Sequence, residues 1–228
     1  RSWFYLVEIL FFNLPHLSIN RGGEKWIREV ASYLSTRHSV TVITSDYMKF
    51  SDISNLKFNY ITFKFKRKMI FINDISEIRS YLKNSDVVYA FYAWVGTQRT
   101  IVDASSKVIF GHHSNNDSLL QKIYYKILET DKRIKNSYHH FLTEYRANIY
   151  KRKGFSKIFI IPNFVDTKKY LPKDKNGSKF KVFAPGVTTK AKGLDILVEI
   201  AKNLENYNDI KFFIAGYKIE NLTLPSNV

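Results

Sequence analysis

Short apolar runs of strand length recur along this chain, and between them stand stretches whose apolar residues return every three or four positions. The first members set the pattern. "WFYLVEILFF" (3–12) is a nearly continuous run of aromatic and branched residues, as expected of a strand buried on both faces. "GGEKWIREVASYL" (22–34) follows, with Ile27, Val30, Ala31 and Leu34 at i, i+3, i+4 and i+7, one apolar stripe of a helix that starts near Gly23. "VTVIT" (40–44) reads as the next strand. "INDISEIRSYLK" (72–83) predicts a helix, and "DVVYAFY" (86–92) and "KVIFGHH" (107–113) predict strands. Residues 117–136 read as one or two helices and "HHFLT" (139–143) as a strand. "EYRANIYKRKG" (144–154) is a helix stopped by Gly154, and "KIFIIPN" (157–163) a strand ended by proline. Helices alternating with strands cover both faces of a parallel sheet, so the fold class is α/β with a doubly wound parallel sheet.

The pattern breaks at "LPKDKNGSK" (171–179), which has proline, glycine and charge but no periodicity, the composition of a linker. It then restarts. A strand "FKVFAPG" (180–186) leads through "VTTKAKG" (187–193) into a helix carrying Leu194, Leu197, Val198, Ala201 and Leu204, and then into a strand "IKFFIAG" (210–216). The expected organisation is a first Rossmann-like domain over 1–172, a linker over 173–179 and a second Rossmann-like domain over 180–228. A complete doubly wound domain needs about five or six strands, so the second is expected to be only its first part.

Gly22 and Gly23 stand where a strand gives way to a helix. In a parallel sheet this loop lies at the C-terminal edge, where unpaired N–H groups and the positive end of the helix face outward. A glycine pair without Cβ atoms lets a bulky anion approach the backbone. A plain turn is the other reading, because neither GxGxxG nor GxxxxGK[ST] is present.

Charge asks for an anionic partner: 36 Lys and Arg face 20 Asp and Glu, a net +16, which fits nucleic acid, an anionic membrane face or phosphorylated substrates. The densest cluster, "KFNYITFKFKRKMIF" (57–71), interleaves Phe58, Tyr60, Phe63 and Phe65 with Lys57, Lys64, Lys66, Arg67 and Lys68. It reads either as a membrane-facing or base-stacking segment or as an edge strand guarded by lysines. The absence of cysteine excludes disulfides and thiolate metal sites and fits a cytoplasmic protein. Neither a membrane span nor a signal peptide is read in the apolar runs.

Several segments together resemble a known family. "GGEKWIREVASYLSTRHSVTVIT", "SDVVYAFY", the strand ending in His113, "IPNFVD" (161–166) and "PGVTTKAKGLDILVEIAKNL" (185–204) stand in the order and spacing of the GT-B-fold retaining glycosyltransferases, the family of sucrose synthase and bacterial mannosyltransferases. The resemblance spans essentially the whole chain and implies an acceptor domain followed by the start of a donor domain. It implies that Gly22 and Gly23 face the diphosphate of a nucleotide-sugar donor, and that Lys192, with Lys190 and Gly193 in the second glycine loop, lies against the same diphosphate. His113 then corresponds to the family's catalytic histidine near the transferred sugar, while Asn163 and Asp166 fall in an architectural segment. No cofactor and no metal are implied.

There are departures. Val187 stands where the family has arginine after the glycine matched by Gly186, so one diphosphate contact is either missing or supplied elsewhere, with Lys190 the candidate. Arg37 replaces a glycine before the second strand. The two glutamates with which the family orients sugar and ribose either lie beyond Val228 or do not exist.

His112 and His113 are neighbours on a strand and point to opposite faces, as do His139 and His140, so neither pair ligates one metal. Tyr92 and Trp94, just after a central strand, read either as an acceptor pocket or as core. No GxSxG, HExxH or kinase signature is present. The leading expectation is a glycosyltransferase acting on a nucleotide-sugar donor with retention of configuration. Its acceptor would be a glycan or lipid-linked glycan, met by an enzyme peripheral on the inner face of the membrane. The alternatives are a non-catalytic glycan- or partner-binding module and a basic nucleic-acid-binding protein. Lysines scattered over many elements without a recognition motif argue against the last.

Overall fold

The computed structural model describes residues 5–13, 17, 22–45, 56–63, 76–92, 97–105, 107–113, 126, 129–171, 179–186, 192–215 and 223–228. The chain divides into two compact units, Arg1–Val165 and Asp166–Val228.

In the first unit the described strands are β1 (Glu8–Asn13), β2 (Ser39–Ser45), β3 (Asn59–Phe63), β4 (Val87–Tyr92), β5 (Val108–His112), β6 (Tyr138–Phe141) and β7 (Ile158–Ile160). They form one sheet in the order β3-β2-β1-β4-β5-β6-β7, and every pairing in it is parallel. Strand order therefore runs outward from β1 in both directions, the signature of a doubly wound sheet whose switch point lies between β1 and β4. The helices described here are α1 (Gly22–Leu34), α2 (Ser76–Asn84), α3 (Thr97–Ala104), α4 (Lys132–Lys135) and α5 (Glu144–Arg152).

Alternation along each strand sorts the core into two layers. Leu10 and Phe12 of β1, Val88 and Ala90 of β4, and Val108 and Phe110 of β5 pack with Ile78 and Leu82 of α2, Ile101 of α3, Ile134 of α4 and Ala147 of α5. Phe11, Val40, Val42, Tyr89 and Phe91 point the other way and pack with Ile27 and Ala31 of α1. The stripe read on α1 is the face it buries: Ile27 and Ala31 are fully buried and Val30 and Leu34 pack beside them. Successive residues of a strand face opposite sides, and both sides here are dry, which is why the sequence shows continuous apolar runs.

Several boundaries differ from the sequence expectation. β1 starts at Glu8, not near residue 3, because its first partners are Ser39 of β2 and Val87 of β4, the latter facing Ile9. Tyr5 and Leu6 stay 85% and 68% exposed. α1 starts at Gly22, and α2 is described from Ser76. Of the segment 117–136, Lys126, Glu129 and Thr130 are described as helical, and α4 follows with Asp131 as its N-cap. β7 is three residues long, shorter than the stretch to Asn163. β3 takes the sheet edge, as the lysine-guarded reading of that segment expects. Lys64, Lys66, Arg67 and Lys68 lie outside the described residues.

The second unit holds β8 (Phe180–Pro185), α6 (Leu194–Asn203) and β9 (Ile210–Ala215). The two strands pair in parallel from Phe180 opposite Ile210 to Pro185 opposite Ala215. α6 buries Leu194, Val198 and Ala201, and β9 buries Phe212. Asn227 closes this unit by donating from its side-chain amide to the Ala201 carbonyl at 2.9 Å. Among the described residues no helix is long and apolar enough to cross a membrane.

Candidate functional site

The C-terminal edge of the first sheet carries three of the residues singled out in the sequence: Gly22, Gly23 and His113. Between β1 and α1 the chain is pegged at Leu17, which is fully buried. The Leu17 N–H donates to Thr44 Oγ1 at the end of β2, at 3.2 Å, and its carbonyl accepts from the Arg28 guanidinium of α1. A strand end, a helix and a loop are thus tied through one residue. Gly22 and Gly23 then open α1, and a Cβ built on Gly22 would meet nothing within 4 Å. Among the described residues nothing obstructs a side chain there, and the space in front of the backbone is open. Glu24, in the first turn, is 3% exposed, a carboxylate held at the positive end of the helix.

His113 follows β5 and is joined to residues the sequence reading did not select. Its Nε2 lies 2.7 Å from the Tyr89 hydroxyl of β4, and that hydroxyl lies 2.5 Å from Nδ1 of His140 on β6. His140 Nε2 in turn donates to the Ile161 carbonyl at 2.8 Å. Tyr89 can span β5 because Gly111 has no side chain: a Cβ there would sit 2.5 Å from the Tyr89 hydroxyl and 2.8 Å from its ring. Trp26 of α1 covers the group, with ring centroids 4.6 Å from His113 and 5.4 Å from Tyr89, and Phe91 lies 4.2 Å from His113. Trp26 falls one turn after Gly22, so the mouth of α1 and the histidine group share one edge of one sheet.

The opposite face holds a second pair. His112 Nε2 lies 3.0 Å from His139 Nδ1, and His139 Nε2 lies 3.0 Å from the Ile134 carbonyl. His112 also stacks on Phe141 at 4.3 Å. The sequence placed neighbouring histidines on opposite faces, and they are so placed.

All four imidazoles are held neutral. Burial, and then the charge of His140, lowers the His113 pKa to about 3. Burial lowers His139 to about 4 against the opposing pull of the Ile134 and Lys135 carbonyls. His140 is lowered by burial, opposed by the Ile161 carbonyl, and His112 is held well below its usual value by burial and then by His139. At neutral pH His113 therefore offers one N–H and one lone pair, and carries no positive charge.

In the second unit Lys192 is exposed. Gly193 caps α6 with φ 78°, a left-handed conformation that favours glycine, and no side chain caps that helix end. Gly186, after β8, has φ 69°, and its N–H donates to the Ala215 carbonyl at 2.7 Å. Lys190 and Trp94 lie outside the described residues, as does the side chain of Tyr92. Among the described residues no group of three or more His, Cys, Asp or Glu could hold a metal.

Trp26, Tyr89, Gly111 and His140 were not selected from the sequence. Trp26, Tyr89 and His140 lie in runs that read as core. Gly111 did carry a signal: a glycine inside a strand marks a place where another group comes close to the backbone.

The comparisons with known proteins agree with this architecture. Solved structures that align with the chain include Anabaena HepE (Alr3699), crystallised in complex with UDP, at 13% identity and a TM-score of 0.59, covering 91% of this chain and 69% of that one. A glycosyltransferase from Rickettsia africae aligns at 16% identity and a TM-score of 0.63, over 94% of this chain and 69% of its own. TarM aligns at 13% identity and a TM-score of 0.65, over 96% and 74%. At such identities the likeness is one of fold. No curated protein matches the chain in sequence. The family profile described as Glycosyltransferase Family 4 matches residues 20–169, from the glycine loop through β7 and beyond. With that match over about two thirds of its length, the chain belongs to Glycosyltransferase Family 4 and has the GT-B type of Rossmann-like fold.

Proposed function

We propose that the protein transfers a sugar from a nucleoside-diphosphate donor to an acceptor hydroxyl with retention of anomeric configuration. The observation that carries this is the open mouth of α1: two glycines, with free space in front of Gly22, at the switch point of a parallel sheet beside a neutral, half-buried histidine. A helix N-terminus with exposed N–H groups suits a diphosphate, and the UDP in the Anabaena relative supports a ligand of that class. In the reaction the acceptor oxygen bonds to the anomeric carbon while the bond from that carbon to the diphosphate breaks. The electron pair leaves with the nucleoside diphosphate, which ends with the acceptor's proton. Stabilising that departing charge is the main electrostatic task. The backbone of Gly22 and Gly23 would serve it, with charge contributed by Lys192 and Lys190 and a further backbone N–H by Gly193. Retention, and the role of His113 beside the sugar, are what the resemblance to the retaining GT-B enzymes implies.

Gly22 separates fold from function, because its missing side chain fills no protein space. Replacing it by valine should leave the urea midpoint within about 0.5 kcal/mol of the parent. UDP, GDP or ADP, titrated in turn by calorimetry, should bind the variant at least about tenfold more weakly than the parent, the equivalent of about 1.4 kcal/mol. Undiminished binding of whichever nucleotide the parent prefers would remove the α1 mouth from the donor site.

We also propose that the enzyme works at an anionic membrane surface bearing a lipid-linked glycan acceptor, on the strength of its net +16 charge and the basic, aromatic stretch around Lys64, Lys66, Arg67 and Lys68. Co-sedimentation with vesicles containing acidic lipid should exceed that with neutral vesicles and fall as salt is raised. Equal, negligible binding to both vesicle types would sink the idea.

A further inference from the structure

The hydrogen bonds around His113 have only one consistent direction. The Ile161 carbonyl can only accept, so His140 must carry its proton on Nε2. His140 is buried and neutral, so its Nδ1 holds a lone pair, and the Tyr89 hydroxyl, 2.5 Å away, must donate to it. A phenol has one proton. With that proton committed, the Tyr89 oxygen can only accept at 2.7 Å from His113 Nε2. His113 is thereby fixed as the Nε2–H tautomer, and the nitrogen left with a lone pair is Nδ1.

The orientation is fixed as tightly as the proton. The Trp26 and Phe91 rings lie 4.6 Å and 4.2 Å from His113, so the imidazole is held from two sides while Tyr89 holds one ring nitrogen. This relay crosses three adjacent strands, β4, β5 and β6, and depends on the gap over Gly111. A buried polar chain satisfied at every link is a rigid element, and outer groups that orient a catalytic histidine set both its tautomer and its angle.

We propose that Tyr89 and His140 are positioning residues for His113: they fix its tautomer and ring angle, so that His113 meets the donor sugar as a hydrogen-bond acceptor through Nδ1, never as an acid. This rests on the transfer reading for its substrate, but the relay is measurable without turnover. In the full chain labelled with nitrogen-15 at histidine, long-range proton–nitrogen spectra distinguish the two neutral tautomers, and His113→Asn identifies the signal by its loss. The expected result is an Nε2–H imidazole at residue 113 throughout the neutral range in the native protein. In Tyr89→Phe, which keeps the ring and removes only the link, a substantial share of Nδ1–H should appear. Turnover of the nucleotide-sugar should fall on the order of tenfold to a hundredfold with little change in donor KM, since orientation and not binding is lost. An Nδ1–H tautomer in the native chain overturns the proposal, as does a Tyr89→Phe variant with unchanged spectra and unchanged kcat. A native chain that binds no nucleoside diphosphate defeats the transfer reading instead, and the spectra then decide the relay by themselves.

Discussion

Between pH 7 and pH 5 the first unit should lose at least about 4 kcal/mol of stability, a loss driven by histidines that cannot charge while folded. An unfolded histidine titrates near 6.5, while in the fold His113 is lowered to about 3 and His139 to about 4. Below 6.5 the unfolded chain takes up protons that the native chain refuses, and each such group costs about 1.4 kcal/mol per pH unit. The contribution is complete above 6.5 and is lost as pH falls toward 4 and 3. From pH 7 to 5 this amounts to about 2 kcal/mol per histidine. His112 and His140 are shifted in the same direction and add to the loss. Domains of this kind are stable by only about 5–15 kcal/mol, so urea midpoints at pH 7, 6 and 5 should fall steeply. Carboxylates titrate mostly below this window, which isolates the histidines. A midpoint that stays level down to pH 5 would mean that these rings accept protons in place.

The second large effect concerns Gly111. Replacing it by alanine adds one methyl group, but that methyl would overlap the Tyr89 hydroxyl at 2.5 Å and its ring at 2.8–2.9 Å. Tyr89 cannot step aside cheaply. Phe11 lies 5.5 Å and Trp26 5.4 Å from its ring, and its hydroxyl is bound at both sides by histidine. The expected cost is about 2–3 kcal/mol of overpacking, together with loss of the relay and hence of turnover. The cause can be separated from simple intolerance of alanine in a strand. With Tyr89→Leu in the background, the ring that the methyl meets is gone, and Gly111→Ala should then cost less by at least about 1 kcal/mol, a coupling that a double-mutant cycle reads directly. Additive costs would show that the tyrosine ring is not what forbids a side chain at residue 111.

What could be read in the sequence, and what could not, divides along one physical line. The parallel sheet was legible because both of its faces are dry, so Leu10, Phe11 and Phe12 run together and each strand stands out from the amphipathic helices. The placing of Gly22 and Gly23 followed from connectivity alone, since the loop after a parallel strand must lie at its C-terminal edge. His113 was reached only through the resemblance. The residues around it were not, because Trp26 and Tyr89 have the same spacing as any core residue: periodicity reports which face a side chain is on, not what its polar end touches. Tyr5 and Leu6 failed in the opposite sense. They are large and strand-favouring like Phe11, but among the described residues no strand pairs with them, and hydrophobicity without a partner does not make a strand.

The central place of β1 in its sheet has a consequence for how the protein is made. β1 is made before both of its neighbours, and the strand that completes its second side, β4, comes only after residues 14–86, 73 residues later. At about 5–20 residues per second, a ribosome needs roughly 4–15 s to supply it. For that time the nascent chain carries an aromatic strand, Glu8–Asn13, with at least one edge unsatisfied, a surface open to any passing strand. Slowing synthesis over these residues should increase co-translational aggregation and dependence on chaperones that hold extended apolar segments. Speeding it should do the reverse, without any change in the folded protein.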